Sequence, residues 1–72
     1  MQKTMISPRE ISQKFNVSYQ TINHYTNLGI LVVRQRRGNG RLYDEQEVRK
    51  SFHKVNELKN VGYPLRLIRT ML

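Results

Sequence analysis

Seven positions between Ile11 and Tyr25 constrain the fold of this chain more than any other feature of its sequence. Ile11 and Phe15 stand one helical turn apart, Val17 follows closely, and Ile22 and Tyr25 recur at helical spacing. Two short helices that meet at a steep angle across a tight turn need apolar groups from each helix and from the turn itself. Ile11 and Phe15 serve the first helix, Val17 the turn, and Ile22 and Tyr25 the second helix. Ser12 provides a small side chain where the helices approach closest. Asn16 stands where the turn requires glycine or a residue that tolerates left-handed φ.

Local punctuation extends this pattern along the chain. Ser7-Pro8-Arg9-Glu10 reads as a helix start, with Ser7 as cap, Pro8 in the first turn and Glu10 completing a capping box. That helix runs to about Phe15; Ser18 opens the second and Gly29 closes it. Ile30-Leu31-Val32-Val33 reads as a short buried strand, Leu42-Tyr43 as its returning partner, and Gly38-Asn39-Gly40 as the hairpin tip between them. Asp44 with Glu47 forms a second capping box, opening a third helix to about Asn60 whose apolar stripe is Val48, Phe52, Val55 and Leu58. After a turn at Val61-Gly62-Tyr63, Pro64 starts a last helix with Leu65, Ile68 and Leu72 facing inward. Residues 1–5 read as a loose leader able to contribute a strand residue. The expected fold is one domain over residues 1–72, mainly α, with four helices and a small β-hairpin.

Charge narrows the partner. Thirteen Lys and Arg against five Asp and Glu give a net charge of +8 on 72 residues, a field that attracts polyanions and speeds their encounter. Charge alone does not separate DNA from RNA, an anionic membrane or an acidic protein. No apolar run approaches the roughly 20 residues of a membrane span, and the N-terminus lacks the apolar stretch of a signal peptide, so a cytoplasmic location is expected. Cysteine is absent from the sequence, which removes disulfides and thiolate metal sites. His24 and His53 are far apart in sequence and have no acidic partner at ligand spacing, and Ser18 and Ser51 have no nucleophile context. The chain reads as neither an enzyme nor a cofactor or metal protein.

The second helix and the hairpin carry the binding chemistry. Packing Ile22 and Tyr25 inward turns Ser18, Tyr19, Gln20, Asn23, His24 and Asn27 outward, and no residue from Ser18 to Leu28 bears a formal charge. A solvated surface helix usually carries Lys and Glu; this one offers amides, hydroxyls and an imidazole, which suit base edges in a major groove. The expected base contacts are Ser18, Tyr19, Gln20, Asn23 and His24. Arg34, Arg36, Arg37 and Arg41 crowd the hairpin, where their mutual repulsion calls for an anion and their guanidinium forks suit phosphate. With Tyr43 on the returning strand, and Lys59 and Arg66 flanking the last turn, they form the expected backbone contacts. Arg41 is expected to add affinity on every sequence and Gln20 to set preference among sequences. Neutralising roughly six phosphates would give log affinity against log salt a slope of about −5.

Three stretches resemble the start of MerR-family transcriptional regulators: Ile11-Ser12-Gln13 with Asn16-Val17-Ser18, Thr21-Ile22-Asn23-His24-Tyr25, and Leu28-Gly29-Ile30-Leu31. Gly40-Arg41-Leu42-Tyr43-Asp44 with Val48 is similar to the family's wing and following helix, and Leu58, Gly62-Tyr63 and Leu65 to Ile68 to its closing motif. The resemblance covers about residues 6 to 72. It implies a bacterial, nucleoid-associated winged helix-turn-helix with recognition helix 18–28 in the major groove and arginine wing 34–41 on the backbone. It further implies homodimers formed through a region beyond Leu72, acting as repressor or activator. The family's usual Arg-Tyr pair is here Asn23-His24, so the bases read do not carry over. Two other readings remain open: a module that receives an acidic, DNA-mimicking protein, and an excisionase-type architectural DNA-binding factor.

Overall fold

The computed structural model describes residues 4–72, in the order β1 (Met5–Ile6), α1 (Pro8–Phe15), α2 (Tyr19–Leu28), β2 (Gln35–Arg37), β3 (Gly40–Asp44), α3 (Glu45–Val61) and α4 (Leu65–Met71). Residues 1–3 of the expected leader lie outside the described residues, and Met5 enters a strand. β3 is central: it pairs antiparallel with β1, Met5 opposite Asp44 and Ile6 opposite Tyr43, and with β2, Gln35 opposite Leu42 and Arg37 opposite Gly40. The hairpin is thus two-thirds of a three-stranded sheet, joined to four helices in a winged helix-turn-helix.

The helices begin and end where local chemistry puts them. Ser7 Oγ accepts from the Glu10 N–H at 3.2 Å, and Glu10 Oε1 accepts from the Ser7 N–H at 3.0 Å, closing the capping box. Asn16 ends α1 in the left-handed region at φ 54°, ψ 51°, and its N–H donates to Ser12 O. The Ser12 hydroxyl adds a bond of 2.7 Å to Val17 O, so this residue ties the turn as well as making room for it. Gly29 closes α2 at φ 84°, and Gly62 closes α3 at φ 106°.

Three local expectations need correction. Ile30 to Val33 is not a strand: the Ile30 and Leu31 N–H groups both donate to Tyr25 O, and Ile30 O accepts from the Ser51 hydroxyl. The segment finishes the end of α2 with its backbone and fills the core with Ile30 and Leu31, so it needs no ladder. Asp44 caps α3 by accepting from Gln46 and Glu47 N–H, but the Glu47 carboxylate turns to Arg34, where two charge-assisted bonds replace one to a neutral N–H. The hairpin tip falls where expected, between Arg37 and Gly40, and Gly38 turns it with a positive φ of 59°, the mark of a type II′ turn. Leu72 is 51% exposed, because α4 ends at Met71 and Leu72 lies beside Lys50, His53, Lys54 and Glu57 on the polar face of α3.

The core joins every layer. Ile6, Ile11, Ile22, Tyr25, Ile30, Leu31, Tyr43, Val48, Val55 and Ile68 are buried, and Phe15, Val17, Leu28, Phe52, Leu58 and Leu65 pack around them half-buried. Phe52 on α3 meets Phe15 of α1 and Tyr25 of α2 with ring centroids 5.3 and 5.8 Å apart, clamping both helices to α3. The left-handed turn at Asn16 fixes how α1 hands over to α2. Asn16→Gly should leave the urea midpoint near or above the starting value, whereas Asn16→Val should cost about 1–2 kcal/mol in urea unfolding, the penalty of a β-branched residue in that region.

Candidate nucleic-acid interface

Burial of Ile22 and Tyr25 fixes the rotation of α2 and leaves Tyr19, Gln20, Asn23, His24 and Asn27 exposed along its other side. Tyr19 is 53% exposed at the start of the helix. Ser18, expected among the base contacts, is engaged in the cap: its Oγ accepts from the Thr21 N–H at 3.1 Å and donates to Thr21 Oγ1 at 3.0 Å. Only one of its acceptor lone pairs remains.

On one flank of α2 stands the hairpin. Arg36 and Arg37 are exposed on β2, and Arg36 lies directly opposite Arg41 on β3. Arg41 is half-buried: Nη2 donates to Asn23 Oδ1 at 2.6 Å, and its guanidinium carbon sits 5.9 Å from the centroid of the Tyr43 ring. Arg34, grouped with them by sequence, is not free. Its Nε and Nη2 each donate to Glu47 at 2.8 Å, and this bidentate pair raises the Arg34 pKa above its ordinary value, so the charge persists but is already matched.

The expected contact at Tyr43 is overturned. Its side chain is fully buried on the central strand, and its hydroxyl is paired with Thr26 Oγ1 at 2.8 Å, so no phosphate reaches it. Thr26 in turn donates to Ile22 O at 2.7 Å. A tyrosine beside an arginine in a strand looks like a surface contact in sequence; strand alternation about an unknown register decides whether it faces out or in.

The other flank is the turn between α3 and α4. Lys59 lines a groove with Gln20, Thr21, His24, Tyr25 and Leu65, bringing an exposed ammonium beside the outward face of α2. Arg66 lines a second groove with Asn27, Leu28 and Arg69 at the C-terminal end of α2. Arg69, not among the expected contacts, packs so closely that a Cβ on Gly29 would stand 3.4 Å from its Nε. Its spacing of three from Arg66 was the available signal.

The carboxylates lie elsewhere. Glu10 and Asp44 cap helices, Glu45 pairs with Lys14, Glu47 with Arg34, and Glu57 with His53 and Lys54. None falls in α2, in the hairpin from Arg34 to Arg41, or in α4. Among the described residues no group of three or more His, Asp or Glu is placed to hold a metal, and no helix is long and apolar enough to cross a membrane.

An uncharged second helix between a basic hairpin and a lysine-bearing helical turn defines a winged helix-turn-helix domain of the DNA-binding, transcription-regulating class. Residues 6–72 match the MerR HTH family regulatory proteins, and the chain belongs to that family, whose members are DNA-binding regulators rather than enzymes. It is 31% identical over 61 residues to nodulation protein NolA of Bradyrhizobium elkanii, a match covering 83% of this chain and 27% of that protein. The chain therefore spans only about a quarter of the length of the curated relative it matches.

The buried hydroxyl of Tyr43 gives a direct check on its reassignment. Tyr43→Phe should lower unfolding stability by about 1 kcal/mol through loss of the Thr26 bond, measured in urea, while the salt dependence of duplex binding stays unchanged.

Proposed function

We propose that this domain binds duplex DNA with sequence preference, seating α2 in the major groove and its two basic flanks on the phosphates beside it. The observation that carries the reading is the charge layout: an exposed helix face without a formal charge, bordered on both sides by cations and free of carboxylates. A merely solvated helix gains nothing from this separation. A duplex rewards it, since neutral hydrogen-bonding groups meet base edges while cations release counterions from the backbone.

Base reading falls to Tyr19, Gln20 and His24; Asn23, expected among the base contacts, has its amide oxygen engaged by Arg41. Ser18 sets the start of the helix and contributes at most an acceptor. Arg36, Arg37 and Arg41 hold one stretch of backbone, and Lys59 and Arg66 hold another across α2. In a longer regulator this unit would occupy one half of a two-fold site, with the homodimer formed beyond Leu72, and a lone copy would bind weakly for want of its symmetric partner. An acidic protein that copies the phosphate layout would meet the same surface, and competition with duplex separates the two.

The test is a salt titration with a panel of duplexes. With Arg34 matched by Glu47, about five cations remain to meet phosphate, so log affinity should fall against log salt with a slope of about −4.5. Arg36→Ala should weaken every duplex alike and reduce that slope by about 1, whereas Gln20→Ala should change the ranking of duplexes with the slope intact. Flat salt dependence, or equal losses on all duplexes for both variants, would remove the reading.

A further inference from the structure

Arg36 and Arg41 stand directly opposite each other across the hairpin, an arrangement of like charges that destabilises a sheet unless one of them is drawn aside. Arg41 is drawn aside, and toward α2. Its Nη2 meets Asn23 Oδ1 at 2.6 Å, and its guanidinium lies over the Tyr43 ring. That ring is itself fixed, fully buried and bonded through its hydroxyl to Thr26 one turn along the same helix. Arg41 is thus attached to α2 twice, directly through Asn23 and indirectly through Tyr43 and Thr26.

Resting on the DNA reading above, we propose that Asn23 is a positioning residue: it latches the Arg41 guanidinium to the recognition helix, so that wing and helix meet the duplex as one preassembled unit. The choice of amide matters. A carboxylate at Asn23 would hold Arg41 more strongly but cancel its charge, whereas the amide oxygen directs the guanidinium and leaves its full charge for phosphate. Arg41 keeps four further N–H donors beyond the one given to Asn23. Holding them at a fixed distance from Gln20 and His24 ties backbone register to base register. Arg41 therefore contributes to sequence preference as well as to general affinity, a role the sequence reserves for Gln20 and the other outward residues of α2.

A double-mutant cycle with a side-chain readout tests the latch on the intact domain. Asn23→Ala removes no charge and raises helix propensity, so the fold persists, yet affinity for duplex should fall about five- to tenfold. In an Arg41→Ala background the same change should cost less than about twofold. In the free protein, the Arg41 Nε–H group should have an NMR order parameter well above that of Arg37, fall to the Arg37 level in Asn23→Ala, and recover in Asn23→Asp, which keeps the acceptor but binds duplex more weakly. Additive losses in the cycle, or an Arg41 signal as mobile as Arg37 in the starting protein, overturn the latch while leaving the DNA reading intact. No duplex binding by the unsubstituted protein overturns the DNA reading and the role of the latch on DNA, and the free-protein signal then reports whether Asn23 holds Arg41 at all.

Discussion

The buried Tyr43 side chain is the contact through which the sheet and the helix-turn-helix become one body. It rises from the central strand, fills the space beside α2, and ends in a hydroxyl paired with Thr26. Burial of an aromatic side chain supplies about 1.5–3 kcal/mol, and the paired hydroxyl avoids the penalty of an unsatisfied polar group. The larger consequence is geometric. A hairpin of this size has little stability alone, and its orientation would wander without an anchor at its root. With Tyr43 seated, the arginines of β2 and β3 hold a defined direction relative to the outward face of α2.

Electrostatics follows from that anchoring. The acidic groups are absorbed by local duties: two cap helices and three pair with cations on α1, on α3 or just before β2. Such exposed pairs add little stability, typically under about 1 kcal/mol each. Their effect is subtractive, since they remove negative charge from the side of the molecule that α2 presents. What remains around α2 is positive without local compensation, and this asymmetry exceeds anything that the net charge by itself conveys.

Much of the fold is legible because its signals are short. Ser7 with Glu10, Ser18 with Thr21, Asn16, Gly29 and Gly62 each act on backbone groups within a few residues, so their roles follow from neighbours in sequence. The apolar stripe of α3 works in the same way through helical period. The stretch from Ile30 to Val33 was misread because an apolar run announces burial without saying which hydrogen bonds its backbone will make. Leu72 follows the helical period from Ile68 yet meets the polar side of α3, because α4 stops short of it. At the candidate site, the outward positions of α2 were legible from the inward ones, and the exposed wing arginines from the turn between them.

The sequence by itself determined the helices, their ends, the turn between α1 and α2, and the basic excess that selects a polyanionic partner. Only the tertiary structure decided which of the arginines stay free, that Tyr43 turns inward, and that Asn23 faces Arg41. Those pairings join residues 13 to 18 positions apart through a sheet whose register no local motif encodes. Caps and periodic stripes depend on bond geometry within one or two turns. A partner across two elements depends on how those elements pack, and packing is settled by the whole core at once.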